Sequence, residues 1–594
     1  MRSIRRKTES VGAAGAALGA LAILFNGIAC GSSPLPAPLA SAQTDEAAPR
    51  RGGTLQIATI GEPRGFDPAT AADGVSDIIV HLVFDGLVDY DEKSQIVPVL
   101  AQRWEVANGG KTYRFFLREG VRFHDGEELT ADDVKRSVER ALHPTTPSAW
   151  ASHYDAIVGF EEYTEKKAPH LAGVTVEGRY VIAFELTHPD AVFLPLLALH
   201  PLRPVCRSGG DRYSPSWAPC GAGPFRLPPN GWRRGVSVDL VRHDAYFRVG
   251  QPYLDGVRLQ VAVNQLTQRF KFLQGEIDFY RDMSGSDLTR FKGDRRWSVL
   301  GDEEIDRSMS GEAMNVEMAP FDNIEIRRAV AAALDREHYR LMKPGALTPA
   351  NQPVPPGVPG HEPTLTGQHY DYAAALEHMR RAGYPYDPAT GVGGYPHEID
   401  YITYSDGFPT YTAQVLQQEL AKIGLRVKLK IVSYVAFLAL TQKRKRTPFA
   451  YYSQSADYPD PSTFFDVLFS SKSINDDESQ NTSFFRNARL DDLLARAREE
   501  LDADARRSMY REASEIVCDE APWAFAYYYH YYSVRQPYLR GYRPHPISVM
   551  YMATTWLDRA GAAIASRSAP LFRDALGSIL GRRAHDATAR PGAR

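Results

Sequence analysis

The pattern that most constrains the fold of this chain lies at residues 100–140, which read LAQRWEVANGGKTYRFFLREGVRFHDGEELTADDVKRSVER. After the turn-forming Asn-Gly-Gly, apolar and mostly polar residues alternate over residues 113–118, which predicts a half-buried strand. Thr130 then lies three residues before Asp133, as in a capping box, and apolar residues recur at helical spacing over 134–142. The segment therefore predicts a strand-rich unit followed by a capped helix, and by itself this unit says nothing about function.

Length and composition limit the class of protein. At 594 residues the chain exceeds what one ordinary hydrophobic core can hold, so we expect two or more lobes. A hydrophobic content of 43% and a charged content of 24% are typical of globular proteins. A formal net charge of −3 gives no support for nucleic-acid binding, so no nucleic-acid partner is expected.

The N-terminus has the pattern of an export signal. A basic start at residues 2–7 precedes an apolar, Ala/Gly-rich run at 11–28. The run ends at Gly-Ile-Ala-Cys30, which resembles a lipobox with glycine in place of the usual leucine, so residues 1–30 predict a signal peptide and Cys30 a lipidation site. Cleavage at the small residues 40–42 is the alternative and would release a soluble form. A twin-arginine signal and a retained membrane helix fit the pattern less well.

A βαβ pattern marks the second half of the chain. Alternating apolar residues over 399–403 predict a strand, and residues 411–423 predict a helix that ends at Gly424. A second clean alternation over 425–431 predicts another strand. These elements favour a mixed α/β architecture.

Several motifs occur in an order that resembles one protein family. They are the segment 100–140 and the residues 53–60, 84–87, 221–225, 275–278, 314–336 and 370–383. In this order they resemble the family 5 extracellular solute-binding proteins of peptide and nickel ABC transporters, over about residues 52–557. The resemblance implies an α/β, two-lobed periplasmic-binding-protein fold of type II, similar to cluster C, with a hinge and an extra subdomain in the first lobe.

The resemblance also implies a division of the chain. After the signal peptide, the Pro/Ala-rich residues 31–51 suit a tether rather than a packed element. The expected lobes are residues 52–300 for the first, including an extra subdomain at about 91–215, then 301–529 for the second and 530–560 for a return to the first. Residues 561–594 form a basic tail, which either touches anionic lipid as an amphipathic helix or stays disordered.

The resemblance assigns the main ligand contact to Asp457. In peptide-binding members the aspartate at this position pairs with the N-terminal ammonium of the ligand, because a desolvated cation requires an anionic partner. Capping of a turn before Pro459 is the alternative role. Ser455 and Gln454 precede it, with Gln454 where peptide binders often have tryptophan. Tyr451 stands where the oligopeptide-binding member has an arginine, which leaves the carboxyl end of a peptide without an obvious partner.

Two further contacts follow from the resemblance. Gly74, Val75 and Ser76 belong to a loop at the edge of the cleft, where backbone groups would bind an extended ligand. Trp150 matches an aromatic residue that covers the bound ligand, and an ordinary core position is the alternative for this side chain.

The cysteines suggest one structural bond. Cys206 and Cys220 close a loop of modest length, and a disulfide there would stabilise an exported protein by about 3 kcal/mol in the chain-entropy model. Two free thiols are the alternative. Cys518 lies in a helical pattern and is expected to be a small core residue.

No motif of an enzyme occurs in the sequence. It contains no HExxH, CxxC or GxSxG pattern and no phosphate-binding GxxxxGK[ST] loop. We therefore expect no catalytic residues, no metal site and no cofactor, and ATP hydrolysis would belong to separate subunits. An exported hydrolase using a carboxylate pair such as Asp457 and Asp460 is the rival hypothesis.

Together these patterns predict an extracytoplasmic solute-binding protein of an ABC importer. It would act as a monomer in the periplasm or on the outer face of the cytoplasmic membrane, held there by a lipid anchor. It would capture a small solute, in the first place a short peptide, and deliver it to the permease and ATPase subunits. Alternative ligands on the same fold are a nickel chelate, haem or an oligosaccharide, and a sensor role is a further alternative.

Overall fold

The described strands of the computed structural model form sheets of seven, five and four strands and three sheets of two strands. The structure describes residues 48–214, 217–405, 407–543, 545, 550 and 552–559. The predicted signal peptide with Cys30, most of the tether and the basic tail lie outside the described residues. The strands are β1 (Thr54–Ala58), β2 (Val88–Tyr90), β3 (Ile96–Pro98), β4 (Ala101–Ala107), β5 (Thr112–Leu117), β6 (Val174–Gly178), β7 (Val181–Glu185), β8 (Phe225–Arg226), β9 (Trp232–Arg233), β10 (Ser237–Arg242), β11 (Gly256–Gln260), β12 (Phe279–Tyr280), β13 (Gly301–Met314), β14 (Leu347–Pro349), β15 (Tyr386–Asp387), β16 (Val392–Gly393), β17 (Glu398–Tyr404), β18 (Arg426–Val432), β19 (Phe449–Ser455), β20 (Trp523–Arg535), β21 (Leu539–Arg540) and β22 (Trp556–Leu557).

Helices connect and cover these strands. They are α1 (Gly74–Val83), α2 (Ala131–Leu142), α3 (Phe160–Thr164), α4 (Phe193–Ala198), α5 (Gln265–Gln274), α6 (Gly285–Gly293), α7 (Arg295–Ser298), α8 (Ile324–Ala333), α9 (Arg336–Met342), α10 (Tyr372–Arg381), α11 (Gly407–Ala421), α12 (Tyr434–Thr441), α13 (Ser462–Leu468), α14 (Ala488–Glu499) and α15 (Ala503–Glu520). Among the described residues, none of these helices combines the length and the apolar character of a membrane span.

The five-stranded sheet has the order β1-β11-β10-β8, with β9 on β10. β1 pairs with β11 in parallel, which brings the start of the described chain beside residues 256–260. The buried face of α1, including Ile79 and Val83, packs in one core with Ile57 of β1 and Leu259 of β11. The sheet thereby fixes the beginning of α1, where part of the candidate site lies.

The segment 100–140 folds into the four-stranded antiparallel sheet, of order β4-β5-β7-β6. β5 alternates buried and partly exposed side chains from Tyr113 to Leu117, which confirms the predicted strand. The carboxylate of Asp133 accepts hydrogen bonds from the backbone N–H and the hydroxyl of Thr130, at 2.9 and 2.8 Å, at the start of α2. The predicted helix with its acidic cap is therefore confirmed.

The seven-stranded sheet has the order β12-β20-β13-β19-β17-β18, with β14 on β20. β17, α11 and β18 form the predicted βαβ unit, and Gly424 takes a φ of 81° beyond the helix, where other residues would be strained. β17 and β19 are also parallel, so their carboxyl ends lie at one edge of the sheet. That edge carries the segment that begins at Ser455.

We call the described residues 54–260 the first lobe and 279–535 the second lobe. Beyond β20 the chain packs Leu539, Met552 and Leu557 into the core that holds β1. The lobes touch away from the cavity as well, where the backbone N–H of Ala191 donates to the carbonyl of Arg498 at 2.8 Å. The two lobes are therefore in contact at more than one place.

A disulfide bond joins Cys206 to Cys220, 14 residues apart. The backbone N–H of Cys206 also donates to the carbonyl of Cys220 at 2.9 Å. Asp125 lies close to both sulfur atoms. Because the disulfide occupies both sulfurs, neither can be a thiolate ligand, and this group does not suit a metal ion.

Candidate ligand-binding site

A cavity of about 960 Å³ lies between the two lobes. This volume falls in the range of roughly 300–1,000 Å³ that is usual for small-molecule sites. From the first lobe it is lined by the segment after β1, the start of α1, and Trp150. From the second lobe it is lined by Ser455, Ala456 and Asp457 beyond β19 and by Tyr531 of β20. Segments from both lobes thus line one cavity.

Five of the eight residues that the sequence analysis assigned to ligand contact line this cavity. They are Gly74, Val75, Trp150, Ser455 and Asp457. They come from three positions that are far apart in the sequence, and tertiary folding brings them together.

Asp457 places a carboxyl group with a raised pKa in the lining of the cavity. Burial raises the pKa of its carboxyl to about 6; nearby Asp77 adds to this rise, whereas a hydrogen bond with Thr463 opposes it. The backbone N–H of Asp457 donates to the Thr463 hydroxyl at 3.1 Å, which fixes the turn after β19. No described residue makes an ion pair with the Asp457 carboxylate. A cation in the cavity would therefore find an unsatisfied anionic partner.

Trp150 closes part of the first-lobe wall. Its indole N–H donates to the carbonyl of Ala71 at 3.0 Å, which fixes the orientation of the ring. The ring also meets the edge of His200, with 5.5 Å between ring centroids. The side chain is half-buried and keeps a face towards the cavity lining. It is thus held in one orientation beside the cavity.

Ser76, Gln454 and Tyr451 lie outside the cavity lining. Ser76 is fully buried, and its hydroxyl accepts hydrogen bonds from the backbone N–H groups of Arg64 and Gly65 at 3.0 and 3.3 Å. The same hydroxyl donates to Asp73 at 2.6 Å. Ser76 therefore holds the loop after β1 against the start of α1.

The side chains of Tyr451 and Gln454 make hydrogen bonds within the protein. The hydroxyl of Tyr451 forms a hydrogen bond with that of Tyr527 at 2.9 Å inside the second-lobe core. The side-chain amide of Gln454 donates to the carbonyl of Ser455 at 3.0 Å. Resemblance had assigned both residues to ligand contact, but Tyr451 packs in the second-lobe core and neither residue lines the cavity.

A histidine and carboxylate cluster forms a further part of the wall, which the sequence analysis missed. A carboxylate oxygen of Asp77 lies 3.1 Å from Nδ1 of His81 and 3.6 Å from Nε2 of His200. The Nδ1 of His81 forms its hydrogen bond with the backbone carbonyl of Asp77 at 3.0 Å. Burial by itself raises the pKa of Asp77, but His81, His200 and Arg203 outweigh it and lower the pKa to about 2. The one sequence signal for this cluster is the spacing of four residues between Asp77 and His81 on α1.

His545 completes this wall. Its Nε2 lies 3.2 Å from a carboxylate oxygen of Asp89, and its ring lies 5.8 Å from that of His81. Because His81, His200 and His545 are more than a hundred residues apart in the sequence, their proximity is a property of the tertiary fold alone.

Comparison with known proteins gives a consistent result. Residues 95–476 match the family described as bacterial extracellular solute-binding proteins, family 5. The chain is 27% identical over 524 residues to haem-binding protein A of Haemophilus influenzae, across 85% of this chain and 92% of that protein. It is 26% identical over 525 residues to di/tripeptide-binding protein 2 of Pseudomonas aeruginosa, across 85% and 95%.

A solved structure shares the fold. It is the periplasmic binding protein DppA from Helicobacter pylori in complex with the peptide STSA, with a TM-score of 0.72 and 25% identity. The match covers 86% of this chain and 99% of that one. The likeness confirms the predicted two-lobed periplasmic-binding-protein fold.

Proposed function

Because the chain belongs to the bacterial extracellular solute-binding proteins of family 5, we propose that it captures a short peptide in the interlobe cavity for import by an ABC transporter. The relatives described above are binding proteins, and two of them bind peptides by name or in the crystal. We propose likewise that this chain catalyses no reaction.

The main support for peptide binding is the Asp457 carboxylate. A partly buried carboxylate with a raised pKa and no ion pair among the described residues is costly unless a ligand supplies the positive charge. The N-terminal ammonium of a peptide is such a charge, and it stays protonated at neutral pH because its usual pKa is about 8. Pairing with Asp457 would offset the cost of desolvating both groups.

Closure of the lobes follows from the same arrangement. Trp150, Gly74 and Val75 belong to the first lobe, and Asp457 belongs to the second. A ligand that contacts both lobes binds the closed form more tightly than the open form and so shifts the population towards closure. The closed protein would then be recognised by a membrane permease and its ATPase subunits.

The histidines of the wall favour a peptide over haem or a nickel chelate. The Nδ1 of His200 forms a hydrogen bond with the carbonyl of Pro68 at 2.7 Å, and its Nε2 faces Asp77. His545 already faces Asp89. Ring nitrogens that are engaged with the protein are poorly placed to bind a metal.

The location of the protein belongs to the same proposal. Capture for import requires the cavity to lie outside the cytoplasmic membrane, in the periplasm or at the outer face. An export signal with lipidation at Cys30 would hold the protein there, and one chain per cavity is sufficient for function.

Binding without turnover is the test. Addition of tri-alanine or a related di- to pentapeptide at 100 times its Kd should stabilise the protein by about 2.7 kcal/mol and raise the melting temperature. Mass spectrometry should recover the peptide intact. No stabilisation by any peptide of this set, or hydrolysis of the peptide, would reject the proposal.

The Asp457→Asn variant tests whether the Asp457 carboxylate binds the ligand. We expect it to lose peptide affinity by about 30-fold or more, because the ammonium loses its charged partner. Asp477→Asn is the matched control, since Asp477 is an exposed second-lobe carboxylate that pairs with Lys443 away from the cavity. Equal affinities of the two variants would remove Asp457 from the ligand site.

A further inference from the structure

We propose that Arg64 binds the carboxylate of the ligand, so that the cavity selects solutes that carry both a free ammonium and a free carboxylate group. This inference rests on the proposed function and deepens it. No sequence motif points to Arg64. Tyr451, which stands where the oligopeptide-binding member has an arginine, lies in the second-lobe core.

The other carboxylates of the cavity already have partners within the protein. Asp73 binds Ser76, Asp77 faces His81 and His200, and Glu303 pairs with Lys292 at 2.9 Å. The remaining three are satisfied in the same way. Asp282 accepts from Gln268 and the backbone N–H of Ile60, Glu62 accepts from the N–H of Gly235, and Glu92 lies 3.6 Å from Arg543. Within the described residues, Asp457 is thus the lining carboxylate that lacks both an ion pair and a backbone donor.

The arginines of the lining show the complementary pattern. The guanidinium of Arg307 donates to the Ser94 hydroxyl at 2.7 Å and to the carbonyl of Gly357 at 3.2 Å. That of Arg281 lies over the ring of Tyr531, 4.0 Å from its centroid. The guanidinium of Arg64 makes no hydrogen bond, ion pair or ring contact with any described residue. Its five donors therefore remain available to a ligand.

The backbone of Arg64 is nevertheless held firmly. Its N–H and that of Gly65 both donate to the buried hydroxyl of Ser76, which in turn donates to Asp73 at the start of α1. The guanidinium thus extends from a fixed loop at the cavity wall. A fixed backbone reduces the conformational entropy that the side chain loses on binding.

The two available charges belong to different lobes. Arg64 lies in the loop after β1 of the first lobe, and Asp457 follows β19 of the second. A zwitterionic solute that pairs its ammonium with Asp457 and its carboxylate with Arg64 would bridge the lobes and neutralise both charges. A solute with one of these groups blocked loses one of the two charged hydrogen bonds, which lowers its affinity.

The assignment of Arg64 is tested by changing the ligand and the protein in combination. Calorimetry would compare tri-alanine with tri-alanine amide, in which the carboxylate is replaced, for the wild type and for Arg64→Gln. We expect the wild type to bind the acid about 10- to 100-fold more tightly than the amide, the usual worth of a charged hydrogen bond. Arg64→Gln should bind the two peptides equally. Arg64→Lys should regain part of the preference, since it restores the charge without the planar fork.

The matched control is Arg290→Gln, which removes an exposed second-lobe arginine that does not line the cavity. It should keep the full preference for the acid. If Arg64→Gln weakens acid and amide equally, or leaves the preference unchanged, the assignment of Arg64 is overturned while peptide capture stands. If tri-alanine and the di- to pentapeptides fail to bind the wild type, the proposed function and this inference fall together.

Discussion

Arg498 of the second lobe forms a bidentate ion pair with Asp190 of the first lobe, with N–O distances of 2.6 and 3.1 Å. The Asp190 carboxylate is almost fully buried, and Arg498 also lies 3.3 Å from Asp466. This contact joins the lobes outside the cavity. It therefore stabilises the arrangement of lobes that this structure shows.

Loss of this ion pair should destabilise the protein. Arg498→Gln leaves a buried carboxylate without its charged partner, so we expect the free energy of unfolding to fall by about 3 kcal/mol, as measured by urea denaturation. Arg496→Gln on the same helix is the control, because its exposed pair with Asp492 contributes less than about 1 kcal/mol. The double variant Asp190→Asn with Arg498→Gln should lose less than the sum of the single losses, and strict additivity would show that the two residues do not interact.

Peptide affinity should depend on the ionisation of Asp457. Only the ionised carboxylate attracts an ammonium, and the pKa of Asp457 in the free protein is about 6. Affinity should therefore be constant above about pH 7 and fall about tenfold by pH 5, as measured by calorimetry with tri-alanine. N-acetyl-tri-alanine lacks the ammonium, and its weak binding should not show this dependence. A flat profile for tri-alanine over this range would contradict the role of Asp457.

The buried Glu312 should make the protein less stable as pH rises, whereas ordinary carboxylates make a protein less stable as pH falls. Burial raises the pKa of Glu312 to about 8, although the Tyr401 hydroxyl, which donates to it at 2.5 Å, lowers it somewhat. Between its ordinary value of 4.5 and about 8, the folded state keeps a proton that the unfolded state releases. The free energy of unfolding should thus fall as pH rises through this window, by at most about 1.4 kcal/mol per pH unit from this group.

Glu312→Gln isolates this contribution, since a glutamine accepts the Tyr401 hydrogen bond and does not titrate. The difference in stability between the wild type and this variant should change steadily from pH 5 to pH 8 in urea denaturation experiments. Glu161→Gln on the exposed face of α3 should show no such change. A difference that stays constant with pH for Glu312→Gln would mean that the carboxyl group is not protonated in the folded protein.

Reduction of the Cys206–Cys220 disulfide should lower the melting temperature. The bond closes a loop of 14 residues, which the chain-entropy model values at about 3 kcal/mol. Calorimetric scans with and without a thiol reductant should show the loss in the wild type and in Cys518→Ser. The double variant Cys206→Ser with Cys220→Ser should unfold at one temperature in both conditions, and a remaining response to reductant there would point to another cause.

Local structure was predictable where the sequence carries a strong short-range signal. The alternation from Tyr113 to Leu117 gave a strand, and Thr130 with Asp133 gave a capped helix, because each pattern concerns neighbours along the chain. The same holds for the βαβ unit that ends at β18. The family resemblance also identified Asp457, Trp150, Gly74 and Val75, all of which line one cavity.

The directions of side chains and the contacts between distant segments could not be predicted from the sequence. Ser76 belongs to the predicted cleft loop, yet burial directs its hydroxyl to the backbone of Arg64 rather than to a ligand. Tyr451 lies on the core face of β19, since neighbouring strands decide which face of the pleat is covered.

By itself the sequence determined which segments form strands and helices, that they follow the order of one family, and that Asp457 carries a charge suited to an ammonium group. Only the tertiary structure decided that Asp457 has no ion pair with any described residue and that Arg64 lies in the same cavity with an available guanidinium. The physical reason is that a charge is compensated by groups close in space. Those groups come from residues hundreds of positions apart, which no local pattern records.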